Sequence, residues 1–174
     1  MAETLMFVPA SEAEGLVREW RARYDPSCSA GVPAHITILY PFRHPDLVDD
    51  VLISDLTSLF SVHSPFSYRL TRIGRFPAVT HLVPEPPDPF VALTGAVAKR
   101  YPDCPPYWGL YGEVVPHCTV AHTDDDAVHE AIEMAVTPAL PVRGRATEVV
   151  LMQEREGAWT FRARFPLGAS GAGG

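Results

Sequence analysis

Two short segments constrain this chain more than any others: His35-Ile36-Thr37-Ile38 and His117-Cys118-Thr119-Val120. Each alternates polar and apolar residues. On a strand that alternation turns His and Thr to one face and the two apolar side chains to the other, where a core can take them. Periodicity along the rest of the chain puts the two segments at matching points of a repeated order. The first half reads as a strand at 4–8 and a helix at 12–24, introduced by Ser11 with Glu14 three residues later in a capping-box pattern. A loop from Asp25 to Pro33 follows, then a strand at 34–40, a helix within 46–60 and a strand at 66–73. The second half reads as a strand at 78–83, a helix at 89–101, a proline-containing loop, a strand at 116–121, a helix at 125–136 and strands near 145–153 and 158–166. His35 lies 31 residues before the strand that begins near Phe66, and His117 lies 30 before the one near Thr147.

This order predicts an α+β chain built as a pseudo-twofold duplication of a β-α-β-α-β unit. A single domain is expected over residues 1–166, with one lobe at about 1–75 and the other at about 76–166. Residues 167–174, rich in Gly and Ala, read as a flexible tail. If the lobes pack by the pseudo-twofold, the two His/Thr pairs face each other across a cleft.

Two imidazoles and two hydroxyls suit phosphodiester chemistry without a metal. Imidazole titrates near pH ~6.5, so one His accepts a proton from an attacking hydroxyl or water while the other donates one to the leaving oxygen. The Thr37 and Thr119 hydroxyls are placed to donate to non-bridging phosphate oxygens. With seven His, chance supplies about 0.4 His-x-Thr matches in a chain of this composition. Two of them, at equivalent points of a repeat, are harder to assign to chance; paired core or surface histidines are the competing reading.

Composition narrows the partners. The net charge is −7, and only Lys99 among the 14 basic residues is a lysine. Long duplex nucleic acid calls for a basic surface, so a small nucleotide or the end of an RNA strand held by a few arginines fits better. Cys28, Cys104 and Cys118 are widely spaced with no C-x-x-C pair, which argues against a disulfide framework or a zinc knuckle. His117, Cys118 and His122 are close in sequence, but positions five apart on a regular strand face opposite ways, so no metal and no cofactor is expected. No apolar run reaches the ~20 residues of a membrane span, and Met1-Ala-Glu-Thr does not open like a signal peptide. A cytoplasmic monomer without membrane contact is the expectation.

The segments Pro33-Ala-His35-Ile-Thr37-Ile-Leu-Tyr-Pro41-Phe42 and Val115-Pro116-His117-Cys-Thr119-Val-Ala resemble the signature strands of the two-histidine (2H) phosphoesterase superfamily, especially its bacterial 2′-5′ RNA ligase family. Gly74-Arg-Phe76-Pro77, Leu82-Val-Pro84 and Tyr101-Pro102 add to the resemblance, which spans about residues 4–166. It implies antiparallel sheets lining a central cleft with helices outside, no required metal, and His35, Thr37, His117 and Thr119 as the catalytic set. It also implies action on 2′,3′-cyclic nucleotides, ADP-ribose cyclic phosphate, 2′-5′ linkages or RNA 3′ ends. Cys118 departs from the family pattern, where a larger aliphatic residue is usual. The function expected is a phosphodiesterase that opens a cyclic phosphodiester, or that cleaves and reversibly joins 2′-5′ RNA linkages. The alternative is a non-catalytic nucleotide or RNA-end binding module with the same cleft.

Further substrate-contact candidates are Tyr107, Trp108 and Tyr111, which either stack on a base or simply pack their loop. Tyr40 and Phe42 follow the first motif directly, Phe42 reading equally as core. Arg43 and Arg75 are candidates for a phosphate contact and His81 for the cleft wall. His44, His63, His122 and His129 read as solvent-facing, and Asp124-Asp125-Asp126 as a helix cap.

Overall fold

Alternating burial along the signature strands shows how they are used. In the computed structural model, which describes residues 2–168, Ile36 and Ile38 are buried while His35 and Thr37 are only partly covered, and Cys118 and Val120 are buried around a partly covered Thr119. The elements in chain order are β1 (Thr4–Pro9), α1 (Glu14–Tyr24), α2 (Pro26–Ser29), β2 (His35–Leu39), α3 (Asp50–Ser61), β3 (Phe66–Phe76) and β4 (Val79–Glu85). They continue with α4 (Asp88–Arg100), β5 (Cys118–His122), α5 (Asp126–Val136), β6 (Val142–Ala146), β7 (Glu148–Arg155) and β8 (Ala158–Pro166). The strands form two four-stranded antiparallel sheets, ordered β2-β1-β7-β8 and β5-β4-β3-β6.

The two orders superimpose if β2 is matched with β5, β1 with β4, β7 with β3 and β8 with β6. The duplication therefore holds down to the register. In the first sheet Met6 pairs with Leu39 and Phe7 with Thr37, which leaves Ile38 as an extra residue. In the second, Thr80 pairs with Ala121 and His81 with Thr119, which leaves Val120 as the extra one. Each signature strand thus carries a one-residue bulge directly after its Thr, and so buries two successive residues, Ile38–Leu39 and Val120–Ala121. His and Thr precede the bulge and keep the shared face that simple alternation predicts.

The division of the chain into lobes at residue 75 is not what the sheets show. β3 pairs with β4 and β6, while β7 crosses back to pair with β1, so each sheet takes strands from both halves. For the same reason the single strand expected near 145–153 is two strands. Thr147 alone separates β6 in one sheet from β7 in the other, and no Gly or Pro marks the crossing. Helix α1 packs on β5, and α4 packs on β2. One apolar core joins the helices to the inner face of both sheets, through Met6, Val8, Ile36, Leu70, Cys118 and Leu151.

Local readings change in three places. Ser11 lies in a short 3-10 turn and makes no capping bond with its side chain, because the Glu14 carboxylate accepts from the Ala34 N–H at 2.8 Å instead. Asp125 does cap α5, accepting from the Ala127 N–H. Within the expected tail, Leu167 is buried and its N–H donates to the Thr147 carbonyl; residues 169–174 lie outside the described residues. Among those described, no helix is long and apolar enough to cross a membrane.

Candidate active site

His35 and His117 are held in the same way by the backbone that leads into their strands. The His35 Nδ1 is 2.8 Å from the Pro33 carbonyl oxygen, and the His117 Nδ1 is 2.8 Å from that of Val115. A carbonyl only accepts, so in each ring Nδ1 carries the proton and the neutral imidazole presents Nε2 as a bare acceptor. A Pro-x-His and a Val-x-His entry thereby select one tautomer at both sites. β2 and β5 lie side by side across the gap between the sheets, and the Cys118 thiol behind them bonds the His35 backbone. Burial pushes that thiol up to about 12, leaving it protonated and unreactive.

Both imidazoles favour the neutral form. Desolvation drives His35 down to about 4 against the pull of its Pro33 hydrogen bond, with further small repulsion from Arg21 and His117. Desolvation also lowers His117, again opposed by its carbonyl partner, and His122 contributes repulsion. Rings pack beside each: Phe7 is 5.1 Å from His35, and Phe76 is 5.1 Å from His117. His81 joins the second site. It stacks on Phe76 at 4.2 Å and lies 5.4 Å from His117, and burial lowers it to about 4. By register His81 faces Thr119 as Phe7 faces Thr37, so a histidine stands on one sheet where the other has phenylalanine. Gly74, its partner on β3, leaves the space: a Cβ there would come 2.4 Å from the His81 Nε2.

The segment before β5 closes over the cleft. Tyr107 donates its N–H to the Tyr40 carbonyl at 2.7 Å, and the Thr37 hydroxyl bonds its phenol oxygen. Tyr107 and Trp108 both sit at positive φ, 49° and 57°, a run of non-glycine left-handed residues that marks a constrained loop. A cavity of about 410 Å³ opens beside His117, lined by Phe76, Tyr107, Tyr111, Val115 and His122 among others.

The other candidates divide. Tyr107, Tyr111 and His81 come to the site. Tyr40 and Trp108 pack edge-to-face at 5.6 Å, Tyr40 also bonding Glu3, and so they brace the loop. Phe42 is buried in the core against Tyr101. Arg43 pairs with Asp103 at 2.9 Å over that same tyrosine ring. Arg75 reaches away to Glu133 on α5 at 3.1 Å. These three are therefore tied up elsewhere. His129, read as solvent-facing, is buried, bonding Thr80 and the Thr123 carbonyl; the helical period of α5 puts it on the inner face with Ile132. His122 is exposed as expected yet borders the cavity.

What the motifs did not reveal is the support behind them. Glu14 and Arg21, both on α1, hold the residues on either side of Pro33. Glu14 accepts from the Ala34 N–H, and the Arg21 Nη2 donates to the Val32 carbonyl at 2.9 Å. Arg21 is fully buried, and its Nε donates to Asp25 at 2.9 Å. Nothing local in the sequence ties a helix charge to a loop 11 or 20 residues on.

Known proteins share this arrangement of strands. The family model of the 2′-5′ RNA ligase superfamily matches residues 7–158. The chain belongs to this superfamily. A Bacillus pumilus (strain SAFR-032) protein bearing a phosphoesterase name is 26% identical over 176 residues, covering 96% of this chain and 98% of that one. A similarly named Bacillus cereus (strain B4264) protein is 23% identical, over 94% and 95%. Among solved structures, TT0787 of Thermus thermophilus overlays with a TM-score of 0.66 at 18% identity, covering 95% of this chain and 98% of that chain. E. coli LigT complexed with 3′-AMP overlays at 0.60 and 18%, covering 95% and 97%. The α+β fold of two antiparallel sheets is that of these proteins, and superfamily membership supports phosphoesterase activity.

Proposed function

We propose that this member of the 2′-5′ RNA ligase superfamily is a phosphodiesterase that opens 2′,3′-cyclic nucleotide ends by two-histidine acid–base catalysis. The observation that carries the reading is the matched pair of Nδ1-to-carbonyl bonds, which leaves two Nε2 atoms for proton transfer from adjacent strands. His35, the more strongly depressed, serves as base: its Nε2 takes a proton from water as the water oxygen attacks phosphorus. His117 serves as acid. A charge on His117 contributes to holding His35 neutral, so a single proton shared by the pair rests on His117. That proton passes to the ribose oxygen as the phosphorus–oxygen bond of the ring breaks, giving a nucleoside monophosphate. Thr37 and Thr119 donate to the non-bridging oxygens as charge builds there.

The aromatic cavity beside His117 supports a nucleobase, with Tyr107 and Tyr111 at its wall. Structures of E. coli LigT with 3′-AMP, NADP+ and ATP support a nucleotide ligand in this fold. With the 5′-hydroxyl of a second RNA in place of water, the same steps join two ends: His35 takes that hydroxyl's proton as its oxygen attacks phosphorus, and His117 protonates the ribose oxygen that leaves.

The test is turnover of 2′,3′-cyclic nucleotides in EDTA. The wild-type protein is expected to open them, and His35→Ala and His117→Ala each to lose ~10²–10⁴-fold in rate with unchanged circular dichroism. Retained turnover in both variants refutes the assignment. A nucleotide that raises the melting temperature without being consumed points instead to a binding module.

A further inference from the structure

The face of the second sheet that carries His117, His81 and Thr119 does not end at the catalytic pair. Along β4 the residues His81, Val83 and Glu85 share that face, by the two-residue period. Their partners on β3 are Gly74, Arg72 and Arg69, and beyond Arg69 lies Arg143 on the edge strand β6. The bulge between Leu70 and Arg72 keeps both arginines on the same side. A row of three arginines therefore leads away from the catalytic site, all three exposed. At 3.3 Å per residue it reaches about 15 Å from Gly74, a distance one nucleotide does not cover. At its far end, Arg69 and Arg143 border a groove of about 740 Å³ with Ser67, Glu85 and Pro87.

These arginines are left free in a chain of net charge −7. Among the described residues, none of the three guanidinium groups makes a hydrogen bond or an ion pair with protein. Arg43, Arg75, Arg100 and Arg155 all have acidic partners. Arg69 and Arg143 are also directly opposite each other in register, an arrangement of like charges that weakens a sheet. Glu85, on the other side of Arg69, offsets part of that charge without bonding it. The equivalent face of the first sheet carries Leu5, Phe7, Val150 and Met152, with a single arginine, Arg164, beside Val150 on the edge strand β8. The positive row is thus confined to one sheet and breaks the pseudo-twofold.

We propose that this row binds the phosphodiester backbone of a single-stranded RNA whose cyclic phosphate end occupies the catalytic site. The upstream nucleotides run over Gly74 and Arg72 toward Arg69 and Arg143. The inference rests on the phosphodiesterase reading for the end group, and it makes an oligonucleotide a better substrate than a mononucleotide.

The experiment compares a short oligouridylate ending in a 2′,3′-cyclic phosphate with 2′,3′-cyclic UMP, in the wild type and in the double variant Arg69→Gln, Arg143→Gln. For the oligonucleotide, KM is expected to rise severalfold and the salt slope of binding to fall by about 1 per arginine removed. Mononucleotide turnover is expected to stay unchanged. Arg18→Gln, an exposed arginine on helix α1, is the control that leaves both substrates as they were. An unchanged oligonucleotide KM, or an equal loss for both substrates, overturns the proposal. If the wild type turns over neither substrate, the phosphodiesterase reading fails, and fluorescence anisotropy with the intact oligonucleotide decides the row by itself. Weaker binding by the double variant sustains it; equal binding, or none by the wild type, overturns it.

Discussion

At the scale of single residues, the site is organised by where protons sit. Each signature histidine donates Nδ1–H to a carbonyl two residues earlier, and burial favours the neutral form of both rings. In the proposed mechanism the base works when His35 is deprotonated, above about 4, and the acid works when His117 is protonated, which its lowered pKa confines to acidic pH. A bell-shaped kcat/KM profile with its basic limb below pH ~6.5 is expected. The limb is measurable from initial rates across buffers of constant ionic strength. His81 adds a stability effect. Its pKa is about 4 when folded against ~6.5 when unfolded, so its contribution is complete above pH ~6.5 and is lost as pH falls toward 4. Its Nδ1 is also buried without a partner. His81→Phe, which copies the Phe7 position of the other sheet, is expected to raise the melting temperature at pH 5 more than at pH 8. Equal shifts at the two pH values would count against this account.

Elements explain why the two histidines are not equivalent. The loop before β2 is clamped from α1 at Val32 and Ala34, whereas Val115 before β5 is half exposed. Glu14→Ala leaves the buried Ala34 N–H unpaired, with an expected cost of about 1–3 kcal/mol in chemical denaturation. Because the Pro33 carbonyl then shifts, kcat is expected to fall more than KM rises. A loss of stability with intact kcat would show that the clamp is structural only. The His-x-Thr face was readable from period alone, because the bulge comes after the Thr. The bulge itself carries no residue signature: Ile38 and Val120 are ordinary strand residues. Ser11 and Glu14 looked like a capping box, but a tertiary hydrogen bond to Ala34 displaced the local one.

For the whole molecule, the exchange of strands makes the halves interdependent. A fragment of residues 1–75 keeps β1, β2 and β3 but has neither β7 to flank β1 nor β4 and β6 to flank β3. It is expected to be unfolded by circular dichroism and amide exchange, while the intact chain unfolds in one transition. A folded fragment would contradict the interleaved arrangement. The charge pattern also belongs to this scale, since Arg69, Arg72 and Arg143 become one row only when β3 and β6 pair.

Local patterning was enough to specify the order of the elements up to α5 apart from the short α2, and the four residues of the two motifs. Two-residue alternation and a repeated spacing are properties of neighbouring positions, and they place His35, Thr37, His117 and Thr119 without reference to the rest of the chain. Folding settled what depends on contacts distant in sequence: the strand exchange after Thr147, the α1 clamp behind Pro33, and His81 beside His117. It also turned Arg43 and Arg75 toward Asp103 and Glu133. Charge and hydrogen bonding act over a few ångströms of space, and chain order does not encode which groups will be that close.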